Sequence, residues 1–167
     1  MAQFDAYLDI ETTGLSYQYA DITVVGIYLV TSNKSNLVQL VGKQASSSKI
    51  LEVLNGVNTL YTYNGSRFDL PFIHRSLDLN LNAMINHHDL MYDCWRCNLK
   101  GGFKAVERQL SIPRQLQGIS GWDAVMLWSK YKQHGDQDAL TLLLEYNRED
   151  VMNLKVLRER LGIGLKL

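Results

Sequence analysis

The apolar residues change period along this chain, alternating near its start and recurring every three or four positions near its end, and few folds accommodate that change. Over 4–11, Phe4, Ala6, Leu8 and Ile10 fall on one face and Asp5, Tyr7, Asp9 and Glu11 on the other, as in a strand, before Thr12-Thr13-Gly14 breaks the pattern. The β-branched run at 22–30 and the apolar run at 37–41 read as two more strands, joined by a turn at 32–36. Ser46-Ser47-Ser48 can cap a helix reaching 54, and 59–63 reads as a strand ending at Asn64-Gly65. Pro71 suits a first helical turn with Leu70, Ile73 and Leu77 along one face, and 87–91 reads as a last strand. Helical spacing then holds over 104–110, 122–131 and 139–161. Strands first, a mixed crossover next and helices last predict an α/β sheet with helices on its faces.

With 167 residues, the chain is expected to form one domain over 1–167. Seventeen basic residues balance seventeen acidic ones, which excludes a strongly basic, nonspecific nucleic-acid coat and leaves local placement to carry any such role. Met1 to Asp5 lacks a basic leader start, and the longest largely apolar run, 22–30, is far below the ~20 residues that span a bilayer, so a cytoplasmic protein without membrane contact is expected. Two cysteines, Cys94 and Cys97, are too few for a disulfide framework, and reduced thiols are the default.

Asp9 and Glu11, two apart on a strand, project from one face near its C-terminal end, where open α/β sheets place ligands. On the last helix Leu143, Tyr146, Asp150, Leu154, Leu157 and Leu161 form a core stripe that contains an aspartate. A buried carboxylate there needs a cation, a donor network or a wet cleft, and Arg158 is a nearby candidate partner. Asp69 follows the 64–67 turn and could equally serve as a helix cap. Together Asp9, Glu11, Asp69 and Asp150 offer hard oxygen ligands suited to magnesium or manganese. Such acids repel one another, whereas two divalent cations neutralise them and can clamp attacking and leaving oxygens of a phosphodiester at ~3.5–4 Å separation. Replacing Asp150 with Asn is accordingly expected to abolish such chemistry and to stabilise the metal-free protein by relieving repulsion.

Asp9-Ile10-Glu11-Thr12-Thr13-Gly14-Leu15, then Asn64 through Phe68-Asp69, then Tyr146-Asn147-Arg148-Glu149-Asp150 resemble, in order, the three motifs of the DnaQ-like DEDD exonucleases of the ribonuclease H-like fold. Tyrosine four residues before the last aspartate resembles the tyrosine subclass. His88-Asp89-Leu90, Gly101 through Glu107 and Glu145 through Val151 look more narrowly like the YprB-type ribonuclease H-like domain, over about residues 4–161. The resemblance implies a five-stranded mixed sheet with one antiparallel strand, and a 3′–5′ exonuclease using two divalent cations, Mg2+ or Mn2+, on a single-stranded 3′ end of DNA or RNA. It implies that Asp9, Glu11 and Asp150 hold the first metal, that Asp9 also reaches the second, that Asp69 contacts the second through water, and that Tyr146 orients the attacking water. With an ordinary tyrosine pKa near 10, Tyr146 would be a poor base, so metal activation of water is the better account. By the same resemblance Thr12, Gly14 and Leu15 lie near the last nucleotide, and Asn64 and Phe68 line the strand's path.

Between 96 and 114, Arg96, Lys100, Lys104, Arg108 and Arg114 face Glu107 alone, an excess of four positive charges where phosphates could dock, and Arg148 is a further candidate for the scissile region. A catalytically inactive binding module on the same fold is the main alternative. A zinc or thiol site from His87, His88, Cys94 and Cys97 is a minor one, since strand alternation points the histidines apart and no second Cys pair exists. His88-Asp89 reads better as a strand end and helix cap, and Trp122, Trp128 and Tyr131 as core or partner interface rather than a base-stacking platform.

Overall fold

A computed structural model describes residues 4–164. Five strands, β1 (Phe4–Thr12), β2 (Ile22–Val30), β3 (Ser35–Val41), β4 (Val57–Thr62) and β5 (Asn86–Asp89), form one sheet in the order β3-β2-β1-β4-β5. Only β2 runs against the others: it pairs antiparallel with β1 and β3, while β1–β4 and β4–β5 are parallel. The α/β fold with a five-stranded mixed sheet is therefore as the sequence predicts, and its connections follow physically, since hairpins join the antiparallel strands and helices cross between the parallel ones.

Among the described residues six α-helices flank the sheet: α1 (Ser47–Leu54), α2 (Asp69–Leu77), α3 (Leu90–Arg96), α4 (Phe103–Gln109), α5 (Gly121–His134) and α6 (Gln137–Leu161). Alternation along β1 divides the core. Ala6, Leu8 and Ile10 pack with Ile50 and Leu54 of α1 and Leu70, Phe72 and Ile73 of α2. Tyr7 packs on the opposite face with Leu90, Cys94, Val106 and Leu154 and Leu157 of α6. Both faces of β1 are thus covered, so the face bearing Asp9 and Glu11 looks at α6 rather than at open solvent.

Two local expectations need correction. The last strand stops at Asp89, because the Asp89 carboxylate accepts the Met91 N–H at 3.1 Å and starts α3 at Leu90, inside the stretch 87–91 read as strand. Arg158 does not reach Asp150; its guanidinium pairs with Asp5 (2.6 Å) and the Tyr7 hydroxyl (3.0 Å). Among the described residues no helix is long and apolar enough to cross a membrane.

Candidate active site

The parallel ladder between β1 and β4 ends at Tyr7–Tyr61, and the cleft opens beyond it. There Asp69 Oδ1, from the first residue of α2, accepts the Ile10 N–H at 3.0 Å. Asp69 is buried and its carboxylate ties α2 to β1 between Asp9 and Glu11, a bond that a helix-capping role would not make. The turn before it is held by Asp89, whose carboxylate accepts the amides of Asn64 (2.8 Å) and Ser66 (3.1 Å) as well as the Ser66 hydroxyl. Asn64 takes a left-handed backbone at φ 61° in that turn.

Across the cleft, α6 lays Tyr146, Asn147 and Asp150 against β1. Asn147 is fully buried and donates from Nδ2 to the backbone oxygen of Asp9 (3.2 Å) and to its Oδ2 (3.3 Å). Gln39 of β3 in turn donates to Asn147 Oδ1 at 3.0 Å. The approach is possible because residue 26 on β2 is glycine: a Cβ there would lie 2.1 Å from Asn147 Oδ1. The result is that oxygens of Asp9, Glu11 and Asp150 all lie within 4.8 Å of one another, and Glu11 Oε1 is buried with no hydrogen-bond partner.

The electrostatics follow from this crowding. Burial, then repulsion from Asp150, Glu11 and Asp69, holds Asp9 far above the usual carboxylate range. Burial, with Asp150 next, pushes Glu11 up to about 8. Burial raises Asp69 to about 7 against the pull of the Ile10 amide. Asp150 is raised by burial too, but it has cations: Arg114 Nη2 donates to its Oδ1, and Lys104 Nζ lies 3.6 Å from the same atom. Neutralising Asp150 would therefore strand these cations, so Asp150→Asn does not stabilise the metal-free protein as its place in the acidic set suggests; Asp9 and Glu11, which have no ion pair of their own among the described residues, carry the larger share of the repulsion. Lys104 Nζ also donates to the Tyr146 hydroxyl at 2.7 Å. Burial and the acids Asp150, Glu11 and Asp9 drive that phenol well above its ordinary pKa, so it stays protonated.

A pH dependence follows. Unfolding returns Glu11 and Asp69 to the ordinary carboxylate range, from which burial in the folded chain pushes them up to about 8 and about 7. Between those limits the native state holds protons that the unfolded chain has released, so stability is full below the unfolded values and is lost as pH rises toward the folded ones. Asp150 reinforces both shifts and Asp89 that of Asp69, while Lys104 tempers that of Glu11 and the Ile10 amide that of Asp69 without reversing them. In chelator the melting temperature is expected to fall from about pH 5 to about pH 8, and Glu11→Gln should flatten the slope. A melting temperature that climbs across this window contradicts the charge assignment.

A cavity of about 510 Å3 opens over the three acids and is walled by Thr12, Gly14, Leu15, Phe68, Lys104 and Tyr146 together with Tyr63, Phe103, Trp122 and Val125. Of the residues expected along a bound strand, Asn64 and Arg148 do not line it; Arg148 is exposed and pairs with Glu145 at 2.8 Å. The five-residue basic cluster is not one surface. Arg96 pairs with Asp93, while Arg114 is internal, gripping Glu107 from Nε (2.9 Å) and Nη2 (2.8 Å). The aromatic stripe also divides: Trp128 packs inside, whereas Trp122 borders the cavity. Arg114 and Asn147 escaped the sequence reading as supports of the acids, because their partners lie on distant elements and no local pattern marks them. By sequence Trp122 reads with Trp128 and Tyr131 as core or partner interface, because spacing alone does not separate a ring at the cavity from one packed on the core.

The zinc alternative loses its ligands. His87 Nε2 is taken up with Thr62 Oγ1 (2.8 Å), His88 Nε2 with Asp93 (2.6 Å), and Cys94 is buried with burial pushing its thiol up to about 12. Among the described residues the one group able to offer three ligand atoms together is Asp9, Glu11 and Asp150.

A family model described as the RNase_H superfamily matches residues 6–162. Among solved structures, a family B DNA polymerase from the hyperthermophilic archaeon Pyrobaculum calidifontis superposes with a TM-score of 0.74 at 14% identity, covering 95% of this chain and 24% of the polymerase. A nuclease in its apo form superposes with a TM-score of 0.62 at 19% identity, covering 95% of this chain and 71% of that one. The chain thus spans about a quarter of the polymerase's length, and at these identities the likeness is one of fold. No curated protein matches.

Proposed function

Since this chain belongs to the RNase_H superfamily, we propose that its carboxylate cavity is the active site of a divalent-metal-dependent nuclease, a 3′–5′ exonuclease of the tyrosine subclass acting on a single-stranded end of DNA or RNA. The observation that carries the reading is the convergence of Asp9, Glu11 and Asp150 within 4.8 Å, with Glu11 Oε1 buried and unpartnered. Such an arrangement is unfavourable by itself and favourable around a cation. A silent binding module would have no use for it. All-oxygen donors fit Mg2+ or Mn2+ and not soft metals.

Asp9, Glu11 and Asp150 would hold the ions, with Asp69 supporting from its place on the Ile10 amide. Bound there, two such ions supply Lewis acidity to the phosphodiester, an activated water, and charge stabilisation for the departing oxygen. The chain's own groups prepare the site. Asn147 fixes the orientation of Asp9 through paired hydrogen bonds, and Lys104 fixes the Tyr146 phenol. A phenol that stays protonated orients a water by hydrogen bonding and does not take its proton. Lys104, already engaged by Tyr146 and Asp150, is among the described residues the one cation on the cavity wall for a single phosphate oxygen to meet.

The test uses single strands of DNA and RNA labelled at the 3′ or the 5′ end, with magnesium, manganese or chelator. The expected outcome is ion-dependent release of label from the 3′ end at once and stepwise shortening of 5′-labelled strands, all lost in Asp9→Asn. Internal cleavage would keep the nuclease and reject the exonuclease; no cleavage of any strand would reject the proposal.

A further inference from the structure

Trp122 exposes 71% of its surface at the mouth of the carboxylate cavity. The other two tryptophans and three further rings of the cavity wall are paired. Tyr63 stacks on Phe103 (centroids 5.2 Å apart), Phe68 packs on Phe72, Trp95 meets Tyr92 edge-on, and Trp128 meets Tyr131. Among the described residues Trp122 has neither an aromatic partner nor a cation over its ring, the contacts that Trp95 and Trp128 both have. Leaving so much apolar surface in water forfeits stability that burial elsewhere would give.

Its backbone is nevertheless fixed. Trp122 is the second residue of α5, whose start is locked by a reciprocal cap: the Asp123 carboxylate accepts the Ser120 N–H at 2.7 Å and its O–H at 2.6 Å, and Ser120 Oγ accepts the Asp123 N–H at 3.3 Å. With the backbone fixed, only the indole's own rotation remains to be ordered when a ligand binds.

The rest of the wall defines what the indole meets. Lys104 is the sole cation among the lining residues, and it is already engaged with Tyr146 and Asp150. A run of phosphates therefore finds no track here. Besides the acids, Thr12, Lys104 and Tyr146, the wall is largely apolar, with Leu15, Tyr63, Phe68, Phe103, Trp122 and Val125 forming a rim over a carboxylate floor. A ligand matching both carries a flat apolar face on one end and an ion-seeking phosphate on the other. At about 510 Å3 the cavity lies within the range of ligand pockets, roughly 300–1,000 Å3.

We propose that Trp122 is a specificity-determining contact that stacks on the unpaired base of the strand's terminal nucleotide. The inference rests on the nuclease reading of the cavity and adds a recognition element to it. A base inside a duplex end has its edge paired and its face stacked on its neighbour, so it reaches the indole only after unpairing. Selection for single strands is built into this contact, whatever the base.

The experiment compares wild type, Trp122→Ala and Trp122→Phe on a single strand, on the same strand with a 3′-terminal residue lacking its base, and on a blunt duplex. Stacking on one base is worth ~1–3 kcal/mol, so Trp122→Ala should raise KM about tenfold on the intact single strand with kcat changed far less, and Trp122→Phe should retain most of the affinity. On the baseless end, wild type and Trp122→Ala should coincide, because the base and the indole act as one unit. The preference for single strand over duplex should shrink in Trp122→Ala. An unchanged KM on the intact strand, or an equal loss on intact and baseless ends, overturns the assignment while leaving the nuclease reading intact. A wild type that degrades no strand rejects the nuclease reading, and this inference with it.

Discussion

Glu11→Gln is expected to lower degradation by about three orders of magnitude and, in the same protein, to raise the melting temperature measured in chelator. The two effects have one origin. Glu11 sits where Oε1 has no partner and where Asp150 and Asp69 repel its charge, so without an ion folding must either supply it with a proton or bury that charge. An ion turns that liability into a ligand, and removing one ligand of several forfeits several kcal/mol of transition-state stabilisation, with ~4 kcal/mol corresponding to a thousandfold. Without ions the charge is a cost only. Glutamine keeps the shape and an acceptor oxygen, so packing is preserved while repulsion goes. A relief of even ~1 kcal/mol raises the melting temperature by roughly 2–4 °C in a chain of this size. Calorimetry in chelator and with magnesium separates the terms: the variant should be more stable than wild type without ions and should gain less from them. Undiminished degradation would remove Glu11 from the centre, and a lower melting temperature in chelator would mean that Asp150 and Asp69 do not repel it.

The individual strands were legible because period-two alternation and β-branched runs are local signals, whereas the five-stranded mixed sheet was implied by the family resemblance and the order β3-β2-β1-β4-β5 was not read, since pairing between distant strands leaves no local mark. Asp150 could be singled out for a related reason: a carboxylate in a core stripe violates the pattern around it, and such violations mark functional sites. Partner choice was not legible. Arg114 and Arg158 are both arginines within reach of plausible acids, yet one is delivered to Asp150 by the irregular segment between α4 and α5, while the other turns toward Asp5 at the far end of the last helix. Nothing periodic encodes that segment. The basic residues near it looked like one cluster because sequence distance was the only measure at hand, and the chain folds Arg114 inward and leaves Arg96 outside. Asn147 gave even less sign, since its use depends on a glycine more than a hundred positions away that lets it approach β1.

Arg114→Met should be among the most damaging single changes to the metal-free fold, on the order of 3–5 kcal/mol, the range for removing one partner of a buried ion pair. The guanidinium holds Glu107 through two nitrogens and Asp150 through one, and both acids are buried. Burial alone would disfavour the Arg114 charge, but Glu107 and Asp150 together raise its pKa above the ordinary value, so it is charged at every working pH. Methionine fills part of the volume and answers neither acid. Glu107 keeps one hydrogen bond, from Asn153 Nδ2 at 2.8 Å, and Asp150 keeps Lys104 at 3.6 Å, which limits the loss without cancelling it. The surrounding segment stays tethered by the amides of Gln115 and Leu116 on Glu149, at 2.7 and 3.1 Å, so the loss should report the charges and not a detached loop. Converted at ~2–4 °C per kcal/mol, the melting temperature in chelator should fall by roughly 6–20 °C. The pair Arg114→Met with Glu107→Gln should recover part of it by removing one stranded charge. Magnesium supplies the decisive comparison. If Asp150 faces both the guanidinium and the ions, the ions should take over its neutralisation, and Arg114→Met should gain more stability from magnesium than wild type gains. Equal gains would show that Arg114 serves Glu107 alone and that its contact with Asp150 carries no energy.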